Sequence, residues 1–166
     1  YPSDRGQARE PSPVPMAESA DGVHWTRPDL GIVDFHGSRH NNLVLSGDFC
    51  SNFAPFLDGN PAAPAAERYK ALAGDTGSVW GYASPDGVHW TMTGESQPVL
   101  DRTTFFYNPF RRVWVFSIRA TQFPGSISGR YRQYWESPDF GAARDWSASP
   151  PVAWVKADSR DFSRPG

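Results

Sequence analysis

The chain has 166 residues, enough for one domain with a substantial core, and its net charge of −2 excludes a strongly basic or acidic protein. Its 16 Lys and Arg residues are scattered rather than clustered, so we predict no nucleic-acid partner. No apolar run approaches the roughly 18–20 residues that span a bilayer, so no membrane partner is predicted, and the single cysteine, Cys50, excludes an internal disulfide.

The composition predicts short strands joined by tight turns. Aromatic residues make up 14% of the chain, and it contains 15 Gly and 16 Pro. In chain order, the predicted strands are residues 42–45, 68–73, 78–83, 103–107, 113–119 and 131–136. One helical turn is expected within residues 61–68, between loops that contain proline. The sequence therefore predicts an all-β fold.

A short motif is repeated along the chain. It reads SADGVHWT at residues 19–26 and SPDGVHWT at residues 84–91, and a degraded copy, SPDFGAARDW, begins at Ser137. The copies start 65 and 53 residues apart, a blade-sized period that is a little longer than the common length of about 40–50 residues, and each interval holds about four predicted strands. Four antiparallel strands per repeat indicate a partial β-propeller of two to three blades.

Within the motif, Ser and Asp side chains are expected to bond nearby backbone N–H groups and so stabilise a turn. Gly22 and Gly87 would adopt a backbone geometry that other residues resist, and Trp25 and Trp90 would fold back and bury their rings. We interpret the other polar motif residues as turn or surface residues rather than catalysts or metal ligands: Asp21, Asp86, Asp139, His24 and His89.

Two segments are expected. Residues 1–17 are a Pro-rich lead-in or the end of a preceding blade, and residues 18–166 are a partial propeller domain. We expect the chain to be a piece of a longer protein, with the remaining blades of the parent chain as its partner. A secreted or periplasmic location is favoured over a cytoplasmic one.

Two aspartates follow the pattern expected at the start of a blade. Asp58 and Asp101 each lie in the segment that opens a predicted blade, and first strands line the central channel of a propeller. Paired carboxylates from different blades could there hydrolyse a glycosidic bond, one as acid and the other as nucleophile or base. The alternative is that each stabilises a turn, since residues 58–61 (DGNP) have a turn signature.

A family resemblance adds to this interpretation. Residues 30–45 (LGIVDFHGSRHNNLVL) and 51–74 (SNFAPFLDGNPAAPAAERYKALAG), with the repeated motif, resemble a bacterial group of five-bladed propeller proteins. That group is similar to glycoside hydrolase families 32 and 43, which include invertases, levanases and arabinanases. The resemblance covers residues 18–146 and implies a five-bladed propeller, a carbohydrate substrate and a role in carbohydrate metabolism.

The resemblance also assigns catalytic roles. Asp58 matches the aspartate of an Arg-Asp-Pro segment that steadies the transition state, although this chain has Leu57 and Gly59 beside it. Asp101 would be another channel carboxylate, and the first-blade nucleophile would lie upstream of residue 1. Glu136 is an acid/base candidate, with a position facing the neighbouring turn as its alternative.

Six further residues are candidates for orienting a sugar, because amides and guanidinium groups bond hydroxyls and aromatic rings stack on sugar faces. They are Asn41, Asn42, Asn52, Phe53, Arg119 and Arg132. The two arginines could instead be solvent-facing strand residues, and Phe53 could belong to the core.

The predicted function is hydrolysis of O-glycosyl bonds in oligo- or polysaccharides by the full-length parent, with this piece inactive alone. The alternatives are a non-catalytic carbohydrate-binding or interaction propeller and a purely structural set of blades. No cofactor and no metal are predicted.

Overall fold

The computed structural model describes residues 12–47, 50–74, 77, 79–121, 130–141, 145–147 and 149–156. Over these residues the fold is all-β, which confirms the predicted class. The strands are β1 (Ser12–Pro15), β2 (Leu43–Gly47), β3 (Ala54–Leu57), β4 (Tyr69–Gly74), β5 (Val79–Ser84), β6 (Thr91–Glu95), β7 (Thr104–Asn108), β8 (Val113–Ala120), β9 (Tyr131–Ser137) and β10 (Val152–Lys156). A 3₁₀ turn, Ala65–Glu67, lies within the predicted helical segment.

The strands form two successive four-stranded antiparallel sheets, each a simple meander. Strands β3 to β6 form the first in chain order, and β7 to β10 form the second. A separate two-stranded sheet joins β1 to β2. All six predicted strands are present with ends within two residues, whereas β1, β3, β6 and β10 were not delimited from the sequence.

The pattern of burial along each strand explains the sequence pattern from which that strand was predicted. In β7, Phe105 and Tyr107 are buried while Thr104 and Phe106 are exposed, the period-two alternation of a strand with one covered face. In β4, residues 70–74 are all buried, because both faces of this strand are covered. A continuous run of small and apolar residues is the expected sequence of such a central strand.

Two clusters of core residues cover the opposite faces of the first four-stranded sheet. Leu72 and Val79 pack with Phe105 and Trp114 of the second sheet. On the other face, Tyr82 and its neighbours pack against Leu45 of β2 and Phe53. The described part of the chain is therefore a stack of three sheets, with β3–β6 in the middle.

The turn at residues 84–90 is closed by its own side chains, as predicted. Ser84 Oγ accepts a hydrogen bond from the Gly87 N–H at 2.9 Å, and Asp86 Oδ1 accepts two backbone N–H groups at 2.8 and 2.9 Å. Trp90 Nε1 donates back to the Gly87 carbonyl at 2.9 Å. Because Gly87 has a φ of +80°, the position suits glycine.

The turn at residues 19–25 repeats these bonds, but its tryptophan is not buried. Trp25 donates to the Gly22 carbonyl at 3.1 Å, yet 62% of the residue is exposed, so the predicted burial of its ring is wrong. Trp90 is partly buried against Phe53, 5.0 Å away between ring centroids. The difference arises because Trp90 packs beside Phe53 against residues of β4 and β5, whereas the described residues leave Trp25 uncovered.

Each motif histidine binds the aspartate of its own turn. His24 Nδ1 lies 2.7 Å from Asp21 Oδ2, and His89 Nδ1 lies 2.8 Å from Asp86 Oδ2. The His24 side chain lowers the pKa of Asp21, and the His89 backbone N–H is the largest cause of the lowered pKa of Asp86. The exposed histidines therefore stabilise charged turn aspartates.

The predicted lead-in, residues 1–17, lies partly outside the described residues, and its described portion contains β1. β1 pairs with β2, so this portion is attached to the fold rather than separate from it. No helix in the described ranges has the length and apolar character needed to cross a membrane.

Candidate functional site

A cavity of about 410 Å³ opens between the two four-stranded sheets, and we call it the intersheet cleft. One wall is the segment that follows β3, including the 3₁₀ turn, and the other is the turn that follows β9. The residues that line it are Asp58, Asn60, Ala62, Ala63, Pro64, Glu67, Lys70, Thr93, Trp114, Pro138, Asp139, Phe140 and Gly141. Its volume lies within the range of small-ligand sites.

A buried ion pair forms the floor of the cleft. Lys70 Nζ lies 3.0 Å from Asp58 Oδ2, and the two side chains are 4% and 1% exposed. Asp58 Oδ1 accepts the Asn60 backbone N–H at 2.8 Å, so this aspartate also forms the turn that its sequence signature predicted. The ammonium approaches Oδ2 off the direction of a hydrogen bond, so this oxygen has an ion-pair partner but no hydrogen bond.

Lys70 is surrounded by groups that stabilise its charge. Its ammonium donates to the Glu67 carbonyl at 2.9 Å and lies 3.3 Å from Glu67 Oε2. It also lies 5.8 Å from the ring centroid of Trp114 and 5.7 Å from that of Phe140, within range of a cation–π interaction. Because Trp114 lies on β8 and Phe140 in the turn that follows β9, these contacts link the first sheet to the second.

Polar groups around the cleft suit a ligand that carries hydroxyl groups. Asn60 and Glu67 are partly exposed, and Thr93 and Asp139 are exposed. Carboxylates accept hydrogen bonds, an amide both donates and accepts, and a threonine hydroxyl does both. A molecule with alternating donors and acceptors could therefore bond to both walls.

Asp101 lies away from the cleft. Phe56 packs on Phe105 at 5.9 Å, and the residue after Asp58 lies beside Tyr107, so β3 and β7 run in the same direction. A strand advances about 3.3 Å per residue, so the stretch from Asp101 to Tyr107 separates the two aspartates by more than roughly 10 Å. Glycosidase carboxyl pairs are about 5–9.5 Å apart.

Glu136 lies on the far face of the second sheet. It pairs in register with Val115, and neighbouring strand residues face opposite ways, so it points away from the Trp114 side. Its carboxylate accepts Arg111 Nη2 at 2.6 Å and also the Tyr134 hydroxyl. Burial, followed by the contact with Glu136, raises the pKa of Tyr134.

The three predicted catalytic residues therefore occupy three separate places, each against a basic side chain. Asp58 contacts Lys70, Asp101 contacts Arg119, and Glu136 contacts Arg111, as the ion pairs show. Of the three, Asp58 lines the intersheet cleft. Their catalytic roles remain predictions.

The predicted sugar-orienting residues lie outside the cleft. The three asparagine amides donate to backbone carbonyls: Asn41 to Val33 and Ser38, Asn42 to Met16, and Asn52 to Gly74. Phe53 packs in the core, as its alternative interpretation stated. Arg119 and Arg132 line a second cavity, described below.

The most informative residue of the cleft, Lys70, was not selected from the sequence. It sits in the middle of a strand otherwise made of small and apolar residues, YKALAG, and an isolated lysine there signals a buried partner. Glu67, Asn60 and Thr93 carried no comparable signal. Asp139 had been interpreted as a turn former, and its Oδ1 does accept the Gly141 N–H at 2.7 Å.

Within the described ranges, no three or more His, Cys, Asp or Glu side chains are grouped so that they could hold a metal ion. Compared with known proteins, the chain matches no family model, no curated sequence and no solved structure. What this protein binds must therefore be argued from its own motifs and geometry.

Proposed function

We propose that this chain is a carbohydrate-binding set of β-propeller blades that holds a saccharide in the intersheet cleft. Two successive four-stranded meanders support the blade assignment, since each carries a copy of the motif between its third and fourth strands. The copies at residues 84–91 and from Ser137 onward occupy equivalent places in the two sheets. A five-bladed propeller completed by further blades is part of this proposal.

One observation carries the binding proposal: the cleft combines buried charge with accessible polar groups on both walls. The Asp58–Lys70 pair holds the floor, while Glu67 and Asp139 present carboxylates from opposite sheets. Sugar hydroxyls donate to carboxylates and accept from amides, so these walls are complementary to a saccharide. The cleft volume of about 410 Å³ accommodates a ligand of one to two sugar rings.

Binding is favoured over hydrolysis by the placement of the predicted acids. Hydrolysis requires two carboxyl groups facing one glycosidic bond across roughly 5–9.5 Å. Asp58, Asp101 and Glu136 instead contact three different cations at three different places. A carbohydrate-binding protein needs no such pair of carboxyl groups, so the cleft can bind a saccharide without one.

Hydrolysis remains a second candidate because of one contact. The carboxylates of Asp58 and Glu67 both lie within 3.3 Å of the same Lys70 ammonium, one buried and the other 46% exposed. Two carboxyl groups in different surroundings are the arrangement that can divide acid and base roles. In this second candidate function, the chain supplies one half of a catalytic site that further blades complete.

The experiment is a binding and turnover panel on the whole chain. Neutral oligosaccharides and plant or bacterial polysaccharides are titrated by calorimetry, and aryl furanosides and aryl pyranosides are assayed for release of the aryl group. Glu67→Gln and Asp139→Asn remove charge from the cleft, and Glu95→Gln is the matched control, because Glu95 is exposed on β6 and does not line the cleft.

We expect one saccharide class to bind and each cleft variant to weaken it about tenfold, with Glu95→Gln unchanged. If the protein releases the aryl group and Glu67→Gln abolishes that release, the proposed function changes from saccharide binding to hydrolysis. If no saccharide binds, or if the cleft variants bind as tightly as the parent, the cleft is not a sugar site.

A further inference from the structure

A second cavity, of about 230 Å³, lies where the second sheet meets the turn before β7, and we call it the basic pocket. It is lined by Arg102, Arg119, Arg130, Tyr131, Arg132, Val155 and Lys156. Five of these seven residues are basic, in a chain whose net charge is −2. Such a concentration of positive charge in one small concavity requires an explanation.

One described carboxylate, Asp101, contacts two of the four arginines that line the pocket. Asp101 contacts Arg119 Nη1 and lies 3.8 Å from Arg102 Nε. Arg119 is 16% exposed, and its Nε is buried without a hydrogen-bond partner. A buried guanidinium N–H aimed at no acceptor is unfavourable unless a ligand supplies one.

The register of the second sheet adds a second unfavourable interaction. Arg119 of β8 lies directly opposite Arg132 of β9, and like charges directly opposite each other destabilise a sheet. Arg132 Nη1 is fixed there, since it donates to the Arg102 carbonyl at 2.7 Å and to the Ser117 carbonyl at 3.4 Å. Two guanidinium groups are thus held side by side on one face.

Backbone conformation contributes to the same grouping. Arg102 adopts a φ of +58°, in the left-handed region that disfavours residues other than glycine. That conformation lets its carbonyl accept from Arg132 while the residue lines the pocket. Backbone strain of this kind occurs at ligand-binding sites, and it also occurs in this chain at His36, Asn52 and Arg112.

From these observations we propose that the basic pocket binds an oxyanion group of a small ligand, a carboxylate, sulfate or phosphate. Guanidinium groups match the planar or tetrahedral oxygens of such groups with paired N–H donors. The bound oxyanion would screen Arg119 from Arg132 and supply the acceptor that Arg119 Nε lacks. The site is independent of the intersheet cleft and of what that cleft binds.

The size of the pocket limits the ligand. A cavity of about 230 Å³ holds one anionic group and a single ring attached to it. Inorganic phosphate or sulfate and the carboxylate of a sugar acid share the chemistry that the pocket recognises. Neutral sugars lack that chemistry and should not bind here.

The test titrates inorganic sulfate, inorganic phosphate and glucuronate into the whole chain by calorimetry at constant ionic strength, with glucose as the neutral control. Arg130→Gln with Lys156→Gln removes two exposed cations of the pocket without touching a core residue. Arg27→Gln with Arg112→Gln is the matched control, since it removes two exposed arginines outside the pocket.

We expect at least one of the three anions to bind and the pocket variant to weaken it about tenfold to a hundredfold, while the control variant changes affinity less than twofold. Asp101→Asn should tighten binding, because the anion then no longer competes with that carboxylate for Arg119. Binding of glucuronate alone would assign a sugar acid, whereas equal binding of all three would assign the oxyanion itself. Absence of binding by all three, or equal weakening in both double variants, would overturn the proposal.

Discussion

Replacing Lys70 with Met should destabilise the protein more than any surface change of the same kind. The substitution keeps the length and apolar stem of the side chain but leaves Asp58, whose side chain is 1% exposed, without its cation. Asp58 would retain one hydrogen bond, from the Asn60 backbone N–H. The buried negative charge would then lack both water and a cation to stabilise it.

The magnitude follows from these contacts. Removing one partner of a buried ion pair costs about 3–5 kcal/mol, a range that includes loss of the cation–π contacts with Trp114 and Phe140. For a chain of 166 residues this corresponds to a fall in Tm of about 6–20 °C. Lys156→Met is the matched control, because Lys156 is exposed at the end of β10, and it should cost less than about 0.5 kcal/mol.

The assay is urea unfolding followed by tryptophan fluorescence and circular dichroism, for both variants and for Asp58→Asn with and without Lys70→Met. Asn at position 58 removes the charge yet can still accept the Asn60 N–H. The double variant should therefore be more stable than Lys70→Met alone, with a coupling energy of about 1–3 kcal/mol between the two positions. If Lys70→Met costs under about 1 kcal/mol, or costs the same with Asn at position 58, the two charges are not coupled and the reasoning fails.

Three further outcomes follow from burial and hydrogen bonding. Trp114→Ala should cost about 3–5 kcal/mol in urea unfolding, whereas Trp25→Ala should cost less than about 0.5 kcal/mol, because the residues are 1% and 62% exposed; equal losses would contradict the assigned core. Hydrogen bonds, led by the His89 backbone N–H, lower the pKa of Asp86, so its stabilising contribution is present above about pH 4 and is lost as pH falls toward the folded-state pKa. Asp86→Asn should accordingly flatten the acid side of the stability profile, and an unchanged profile would refute the turn as a source of acid sensitivity. Burial raises the pKa of the Cys50 thiol, so a thiol reagent should label it slowly in the native protein and rapidly in urea, and equally fast labelling would place it at the surface.

Local features of the fold were predictable because they depend on neighbouring residues. The motif turns follow from Ser and Asp spaced two apart before glycine, and both form the expected bonds. Strands with one covered face were found through period-two alternation, as in β7. Edge strands were harder, since β10 is exposed along its whole length and has no buried face to create a pattern.

The candidate site could be predicted only in part. Asp58 was selected because it lies in the segment predicted to open a blade, and it does line the intersheet cleft. Its partner Lys70 is twelve positions away on the neighbouring strand, Trp114 comes from β8, and Phe140 comes from the turn after β9. Sequence spacing within one four-stranded sheet carries no information on how two sheets stack, so this grouping needed the structure.

Because sequence spacing does not show how two sheets stack, it also did not reveal that Asp58 and Asp101 are far apart. Both lie next to a first strand, but one follows β3 and the other precedes β7. Because β3 and β7 run in the same direction, residues at opposite ends of equivalent strands cannot meet. The sequence pattern indicates that an aspartate lies near a strand, but it does not indicate at which end of the strand the aspartate lies.

The two complete motif turns satisfy their hydrogen bonds within seven consecutive residues each, 19–25 and 84–90. A unit whose bonds are all local can be copied, inserted or exchanged by recombination without redesigning its surroundings. Lengthening such a protein by duplicating a four-stranded sheet together with its motif would then bring an already closed turn with each copy. The exposed Trp25 and the half-buried Trp90 show that one turn tolerates two different environments, which leaves the flanking strands free to diverge.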